Sequence, residues 1–146
     1  MTFRKIDRLY YQAEAEARVD IMGAFPTIED MQLYLNHVLS RRWFRENFGE
    51  FEVEARYVRR VQVCGTHRAR GKFVIDFSLG RMHEGVALHE LAHLPTYVPD
   101  LSHNDHGPAF AAAHLLILDK MVDDIYCDWF RAALKKRGFV WAELEG

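Results

Sequence analysis

Hydrophobic residues recur at helical spacing in the first third of the chain. Residues 4–18 combine strong helix formers with no Gly or Pro, which predicts a first helix. A second helix is predicted from Thr27, whose oxygen can cap the free amides near Asp30, to about Phe48, with Gly49 ending it. The predicted inward positions are Ile6, Leu9, Tyr10 and Ala13 in the first helix and Met31, Tyr34, Leu35, Val38, Leu39 and Phe44 in the second.

From Phe51 the hydrophobic period changes to two, which is typical of half-buried strands. The alternation predicts strands within 51–64 and 72–79, joined by residues 65–71 into a small antiparallel sheet of one or two hairpins. Gly80 leads into a predicted helix over 83–93, and residues 94–107 form a loop. Pro108 is suited to the first turn of a helix running to about Asp124, and a last helix covers 126–137. The order of elements predicts an α+β fold.

Composition is that of an ordinary globular protein. At 146 residues, with 49% hydrophobic and 27% charged residues, the chain is expected to form a single domain over 1–146. A net charge of −2 gives no overall attraction to nucleic acid or membrane. The N-terminus lacks a signal-peptide core and no apolar run of about twenty residues occurs, so a cytoplasmic location is expected. Cys64 and Cys127 are expected to be buried free thiols.

The most informative motif is His89-Glu90-Leu91-Ala92-His93. Positions four apart lie on one face of a helix, so His89 and His93 can reach one metal ion, and Glu90 can hold an activated water. A third ligand would leave the fourth position open, as in catalytic zinc sites. Six of the eight histidines lie between His83 and His114, which concentrates imidazoles in this region.

Several residues could supply the third ligand. The metzincin zinc-binding pattern requires Gly at position 96 and His at position 99. Thr96 and Pro99 exclude that pattern here. No glutamate occurs between Glu90 and Glu143, which disfavours a Glu ligand. The remaining candidates are His103, His106, His114, Asp105 and Asp119. His106 is preferred, because Gly107 and Pro108 place it at a loop-to-helix junction.

The other candidates have alternative roles. His103 lies in a polar loop, where it could contact solvent or substrate, and Asp105 could orient a ligand imidazole. His114 lies one helical turn after Phe110 on an apolar face. This position favours a core residue, or one that contacts a metal-binding histidine without binding the metal itself.

The motif HELAH followed by His106-Gly107-Pro108-Ala109-Phe110 resembles the SprT-like zinc metallopeptidases, in which the His of HGxxF is the third zinc ligand. The chain is also similar to a group of small actinobacterial and mycobacteriophage metallohydrolases, whose opening resembles residues 7–14 here. The resemblance implies a zincin-like fold, His89, His93 and His106 as Zn²⁺ ligands, and Glu90 as the catalytic base. A C-terminal four-cysteine zinc ribbon, frequent in SprT-type proteins, is missing from this sequence.

These observations lead to the hypothesis of a zinc-dependent hydrolase, in particular a metallopeptidase acting on a peptide or protein. Glu90 would accept a proton from water and deliver it to the leaving amine. The hairpin before the metal helix would supply an edge strand for an extended substrate. A second electrophile could be Tyr97, His103 or His114. Nickel, cobalt or iron would also suit imidazole ligands.

Two further hypotheses remain open. One is a non-catalytic, zinc-stabilised module that binds protein or DNA, using the basic segment Arg56–Lys72. That segment contains Arg56, Arg59, Arg60, Arg68, Arg70 and Lys72 without an acidic residue. The preferred interpretation of the segment is a hairpin with a solvated outer face. The other hypothesis is a helical protein that binds no metal.

Overall fold

The structure is a computed structural model that describes residues 3–59, 65–78, 80–97 and 106–145. This part of the chain forms six helices around a three-stranded sheet, an α+β architecture. The elements are α1 (Phe3–Ala17), α2 (Ile28–Ser40), α3 (Arg42–Phe48), β1 (Val53–Val58), β2 (Gly65–Ala69), β3 (Lys72–Ser78), α4 (Glu84–Ala92), α5 (Pro108–Met121) and α6 (Asp124–Lys136). Within it, no helix combines the length and apolar character needed to cross a membrane.

The helical N-terminal region confirms most of the predicted pattern. Tyr10 and Ala13 of α1 are fully buried, and the hydroxyl of Thr27 accepts a hydrogen bond from the amide of Asp30 at 3.1 Å. The predicted second helix is divided, however, because Arg41 adopts an extended conformation (φ −66°, ψ 139°) between α2 and α3. The break redirects the chain so that Phe44 is buried and packs against Phe48 at 5.0 Å between ring centroids.

The sheet is mixed, which corrects the predicted antiparallel arrangement. Its strand order is β1-β3-β2, with β1 parallel to β3 and β2 antiparallel to β3. The physical reason lies in burial: Val74, Ile75 and Phe77 of β3 are all buried, whereas Val53 is the only buried residue of β1. The most apolar strand therefore takes the centre, and the more polar strands take the edges.

A second correction concerns residues 65–71, predicted to be a connection. Gly65–Ala69 forms β2, and only Arg70 and Gly71 make the turn to β3. Both turn residues have positive φ, 53° for Arg70 and 79° for Gly71, which is the conformation of a two-residue hairpin turn matching the twist of the strands.

The N-terminus of α4 is held by the backbone that follows α1. The amides of Glu84 and Gly85 donate to the carbonyls of Gly23 (3.1 Å) and Met22 (3.3 Å), so these free amides need no side-chain cap. A Cβ built on Gly85 would lie 1.5 Å from the carbonyl oxygen of Val19. Only glycine permits this approach, which fixes α4 relative to α1.

The C-terminal helices complete the core. The fully buried Phe130 of α6 packs edge-on against Tyr10 of α1 at 5.6 Å, and Cys127 is buried as expected. α5 ends at Met121, three residues earlier than predicted, and α6 begins at Asp124 instead of 126. Cys64 and residues 98–105 of the predicted loop 94–107 lie outside the described residues.

Candidate metal centre

Helix α4 brings three chemically active side chains into the interior. His89 and Glu90 lie in its last turn, and His93 follows as the C-cap residue, with its amide donating to the carbonyl of Glu90 at 3.1 Å. All three side chains are buried, with at most 6% of each residue exposed. The helix ends beside His93, two residues before Pro95, whose ring disfavours helical backbone at the residue that precedes it.

His106 joins these residues from the start of α5. Gly107 is the N-cap residue and Pro108 occupies the first turn, as predicted, so His106 lies at a rigid junction. The ring centroids of His89, His93 and His106 are 5.0–5.1 Å apart in every pair. One ligand nitrogen from each ring lies within 4.8 Å of the other two, so this group could hold a metal ion. The ring of Phe110 packs against all three imidazoles, with centroid distances of 4.3 Å to His93, 4.8 Å to His106 and 5.0 Å to His89.

Two carboxylates orient two of the imidazoles. Nδ1 of His106 lies 2.7 Å from Oδ1 of Asp7, and Nδ1 of His89 lies 2.9 Å from Oε2 of Glu14. Both carboxylates belong to α1. Contacts of this kind fix the tautomer and orientation of metal-binding histidines.

The two oriented rings turn their other nitrogens toward each other. Nε2 of His106 and Nε2 of His89 are 3.1 Å apart. If each neutral ring keeps its proton on Nδ1, facing a carboxylate, both Nε2 atoms carry lone pairs. Two lone pairs at this distance repel unless a positive charge, either a metal ion or one shared proton, lies between them. Adjacent ligands of a tetrahedral zinc site are about 3.3 Å apart, so the residues fit a divalent metal ion.

Burial keeps the imidazoles neutral, which is the state that metal ligands require. Burial lowers the pKa of His89 and of His93, and neighbouring imidazolium charge lowers the pKa of His93 further. Burial, followed by the charge of His89, lowers the pKa of His106 to about 4. At neutral pH none of these three rings is protonated, so protons do not compete for the cluster.

Glu90 is positioned by strand β2. The hydroxyl of Thr66 donates to the backbone carbonyl of Glu90 (3.0 Å) and lies 3.2 Å from its Oε1. Burial raises the pKa of Glu90, while His89 and the Thr66 hydrogen bond oppose the rise. A buried carboxylate with a raised pKa beside a neutral imidazole cluster can accept a proton near neutral pH.

A buried polar chain extends behind His89. The hydroxyl of Tyr10 is hydrogen-bonded to Nδ1 of His114 at 2.7 Å. Ligand atoms of His114, Glu14 and His89 lie within 4.8 Å of one another, making a second group that could hold a metal ion. Nε2 of His114 and Oε1 of Glu14 have no hydrogen-bond partner among the described residues. Because Glu14 already contacts Nδ1 of His89, we interpret this group as the support of His89.

The remaining predicted site residues are placed as follows. Tyr97 is partly buried and packs edge-on against Phe73 at 5.3 Å. Asp119 binds Arg131 instead of joining the cluster. His103 and Asp105 lie outside the described residues.

The described part of the basic segment makes contacts within the protein. Arg56 donates to Asp76 at 3.0 Å, and Arg68 lies over the Phe73 ring at 4.9 Å and donates to the carbonyl of Gly71. These contacts fit a solvated hairpin face. Arg59, Arg70 and Lys72 are exposed.

Three residues of α1 were not predicted as part of the site: Asp7, Tyr11 and Glu14. The ring of Tyr11 stacks on His89 with centroids 5.7 Å apart. The three residues follow the helical spacing i, i+4, i+7, and they share a face with the buried Tyr10. The signal that could have identified Glu14 was a carboxylate one helical turn after Tyr10, on the side of α1 predicted to face inward.

No protein-family model, curated protein or solved structure matches this chain. The resemblance to SprT-like metallopeptidases and the zincin-like fold therefore remain predictions, which the geometry of the histidine cluster must support on its own.

Proposed function

We propose that the protein is a zinc-dependent hydrolase of the metallopeptidase type, with a zincin-like arrangement of its metal helix. His89, His93 and His106 are the ligands and Glu90 is the general base. The observation that carries the proposal is the 3.1 Å approach of the Nε2 atoms of His89 and His106, while each Nδ1 faces a carboxylate of α1. A ligand set made of histidines, with a carboxylate that is not a ligand beside it, is characteristic of catalytic zinc.

A bound Zn²⁺ would polarise a carbonyl group and increase the acidity of water. The protein residues supply the remaining chemistry. Glu90 takes up a proton on its carboxylate and returns it to the leaving amine, a role for which its raised pKa is suited. Asp7 and Glu14 hold His106 and His89 in the required tautomer. The buried Phe110 keeps the three rings in place and excludes water from behind them.

The position of β2 supports an extended peptide as the substrate. Among the described strands β2 pairs only with β3, so its other edge is available for main-chain hydrogen bonds. Thr66 connects this strand directly to Glu90. A peptide added along β2 would therefore pass the proposed general base.

The proposal is tested by metal content and by turnover of one variant. Purified protein should hold one zinc per chain and, with zinc, should cleave members of a broad peptide mixture analysed by mass spectrometry. Glu90→Gln should keep the metal and lower cleavage at least a thousandfold, since proton transfer and water activation are lost together.

Glu84→Gln is the matched control. Glu84 lies on the same helix after a histidine, but its carboxylate accepts a hydrogen bond from Tyr34 and contacts no residue of the cluster. This variant should cleave like the parent protein. Stoichiometric zinc without any Glu90-dependent cleavage would contradict the proposal and favour the zinc-stabilised binding module.

A further inference from the structure

Two adjacent tyrosines of α1 have opposite environments. Tyr10 is fully buried and its hydroxyl is bonded to His114, whereas Tyr11 is 54% exposed. The Tyr11 ring nevertheless contacts two of the proposed ligands. It stacks on His89 with an interplanar angle of 19° and meets His106 edge-on at 5.2 Å. The Tyr11 ring therefore lies between the histidine cluster and solvent.

Within residues 3–59, 65–78, 80–97 and 106–145, the hydroxyl of Tyr11 makes no hydrogen bond. A phenolic hydroxyl carries one proton that it can donate in a hydrogen bond, so Tyr11 offers a donor beside the histidine cluster.

The surface beside Tyr11 leaves room for a ligand. A shallow groove of about 500 Å³ runs along the exposed side of α1. It is lined by Asp7, Arg8, Tyr11, Gln12 and Ala15. A molecule bound there would contact Tyr11 and Asp7, the two groove residues that themselves contact the histidine cluster.

The sequence suggested other residues as the second electrophile, and those described are less suitable. His114 is fully buried, and its Nδ1 is already hydrogen-bonded to the hydroxyl of Tyr10. Tyr97 packs against Phe73 of the central strand, at 5.3 Å between centroids. Tyr11 alone, among these described residues, contacts two proposed ligands and is half exposed.

We propose that Tyr11 is a catalytic residue whose hydroxyl donates a hydrogen bond to the carbonyl oxygen of the bound substrate. This inference rests on the proposed function. As water adds to the carbonyl carbon, that oxygen gains negative charge, and the hydrogen bond from Tyr11 strengthens accordingly. No proton leaves Tyr11, so the step needs no further reactant. The substrates implied are amides and related carbonyl compounds.

Acetohydroxamate provides a test that does not require the natural substrate. It binds to a metal ion at an open position and presents a charged oxygen to neighbouring donors. The Co²⁺-loaded protein reports its binding through the visible absorption of the metal. Tyr11→Phe keeps the ring that stacks on His89 and removes only the hydroxyl. We expect this variant to bind acetohydroxamate about tenfold more weakly, with unchanged Co²⁺ affinity, because a hydrogen bond to a charged group is lost.

Tyr57→Phe is the control, because Tyr57 is a half-exposed tyrosine of β1 outside the cluster, and it should bind both Co²⁺ and acetohydroxamate like the parent. Unchanged acetohydroxamate affinity in Tyr11→Phe would overturn the inference while leaving the proposed function intact. A parallel loss of Co²⁺ affinity would also overturn it, since Tyr11 would then act only by supporting the ligands. If the parent protein does not bind Co²⁺, the proposed function fails and the inference fails with it.

Discussion

Replacing Glu14 by Gln should weaken metal binding and should stabilise the metal-free fold at neutral pH. Glu14 is 3% exposed and lies 2.9 Å from Nδ1 of His89. The amide keeps the size and an acceptor oxygen but cannot ionise, so it cannot place a negative charge behind His89 when a metal ion binds. Loss of such a partner lowers metal affinity about 10- to 100-fold. Zinc titration against a competing chelator should detect this decrease.

The same substitution should stabilise the metal-free protein at neutral pH. Burial raises the pKa of Glu14 from 4.5 to about 8. Between these values the folded chain binds more protons than the unfolded chain, so the stability of the parent falls as pH rises. Gln does not titrate, so the variant does not lose stability in this way as pH rises. The stability advantage of Glu14→Gln over the parent should therefore grow by about 3 kcal/mol from pH 5 to pH 7.5, as measured by urea unfolding in EDTA.

Glu16→Gln is the control for this experiment. Glu16 is also on α1, but it is exposed, and hydrogen bonds from Arg137 and Lys136 lower its pKa. Its replacement should leave zinc affinity unchanged and should give no such growth of stability with pH. The reasoning is refuted if Glu14→Gln binds zinc as tightly as the parent, or if its stability advantage does not increase between pH 5 and pH 7.5.

Two further substitutions test the framework around the cluster. Gly85→Ala should lower the free energy of unfolding in urea by more than about 3 kcal/mol, because the added Cβ would lie 1.5 Å from the carbonyl oxygen of Val19. A much smaller loss would show that α4 can shift away from α1. Thr66→Val removes a hydrogen bond that favours ionised Glu90, so the acidic limb of the pH–activity profile should move upward by about one unit. An unmoved limb would argue against Glu90 as the titrating base.

The helices around the cluster could be predicted because their signals are local. Thr27 caps α2, Pro108 opens α5, and the histidine spacing in α4 places two rings on one face. His106 could be singled out as a candidate ligand for the same reason, since Gly107 and Pro108 define its junction.

The sheet could not be predicted fully because strand order depends on pairing between distant residues. Alternation identified strand positions, but it could not show that β3 lies between β1 and β2. The greater burial of β3 explains this order.

The contributions of α1 depend on tertiary packing. Nothing in the local sequence indicates that Asp7 contacts His106, which lies 99 positions away. The same holds for Glu14 and His89, which are 75 positions apart. The close contact at Gly85, through which α4 approaches the residues after α1, is visible only in the structure.

The central claim is that three imidazoles bind one metal ion, and anomalous X-ray diffraction at the zinc edge tests it most directly. Crystals of protein purified without added metal should show one anomalous peak per chain, bonded to His89, His93 and His106 at about 2.1 Å. Nε2 should be the ligand atom of His89 and His106, with Asp7 and Glu14 still on their Nδ1 atoms. A structure in which these three rings surround no ion after zinc is supplied, or in which zinc binds elsewhere, would contradict the account.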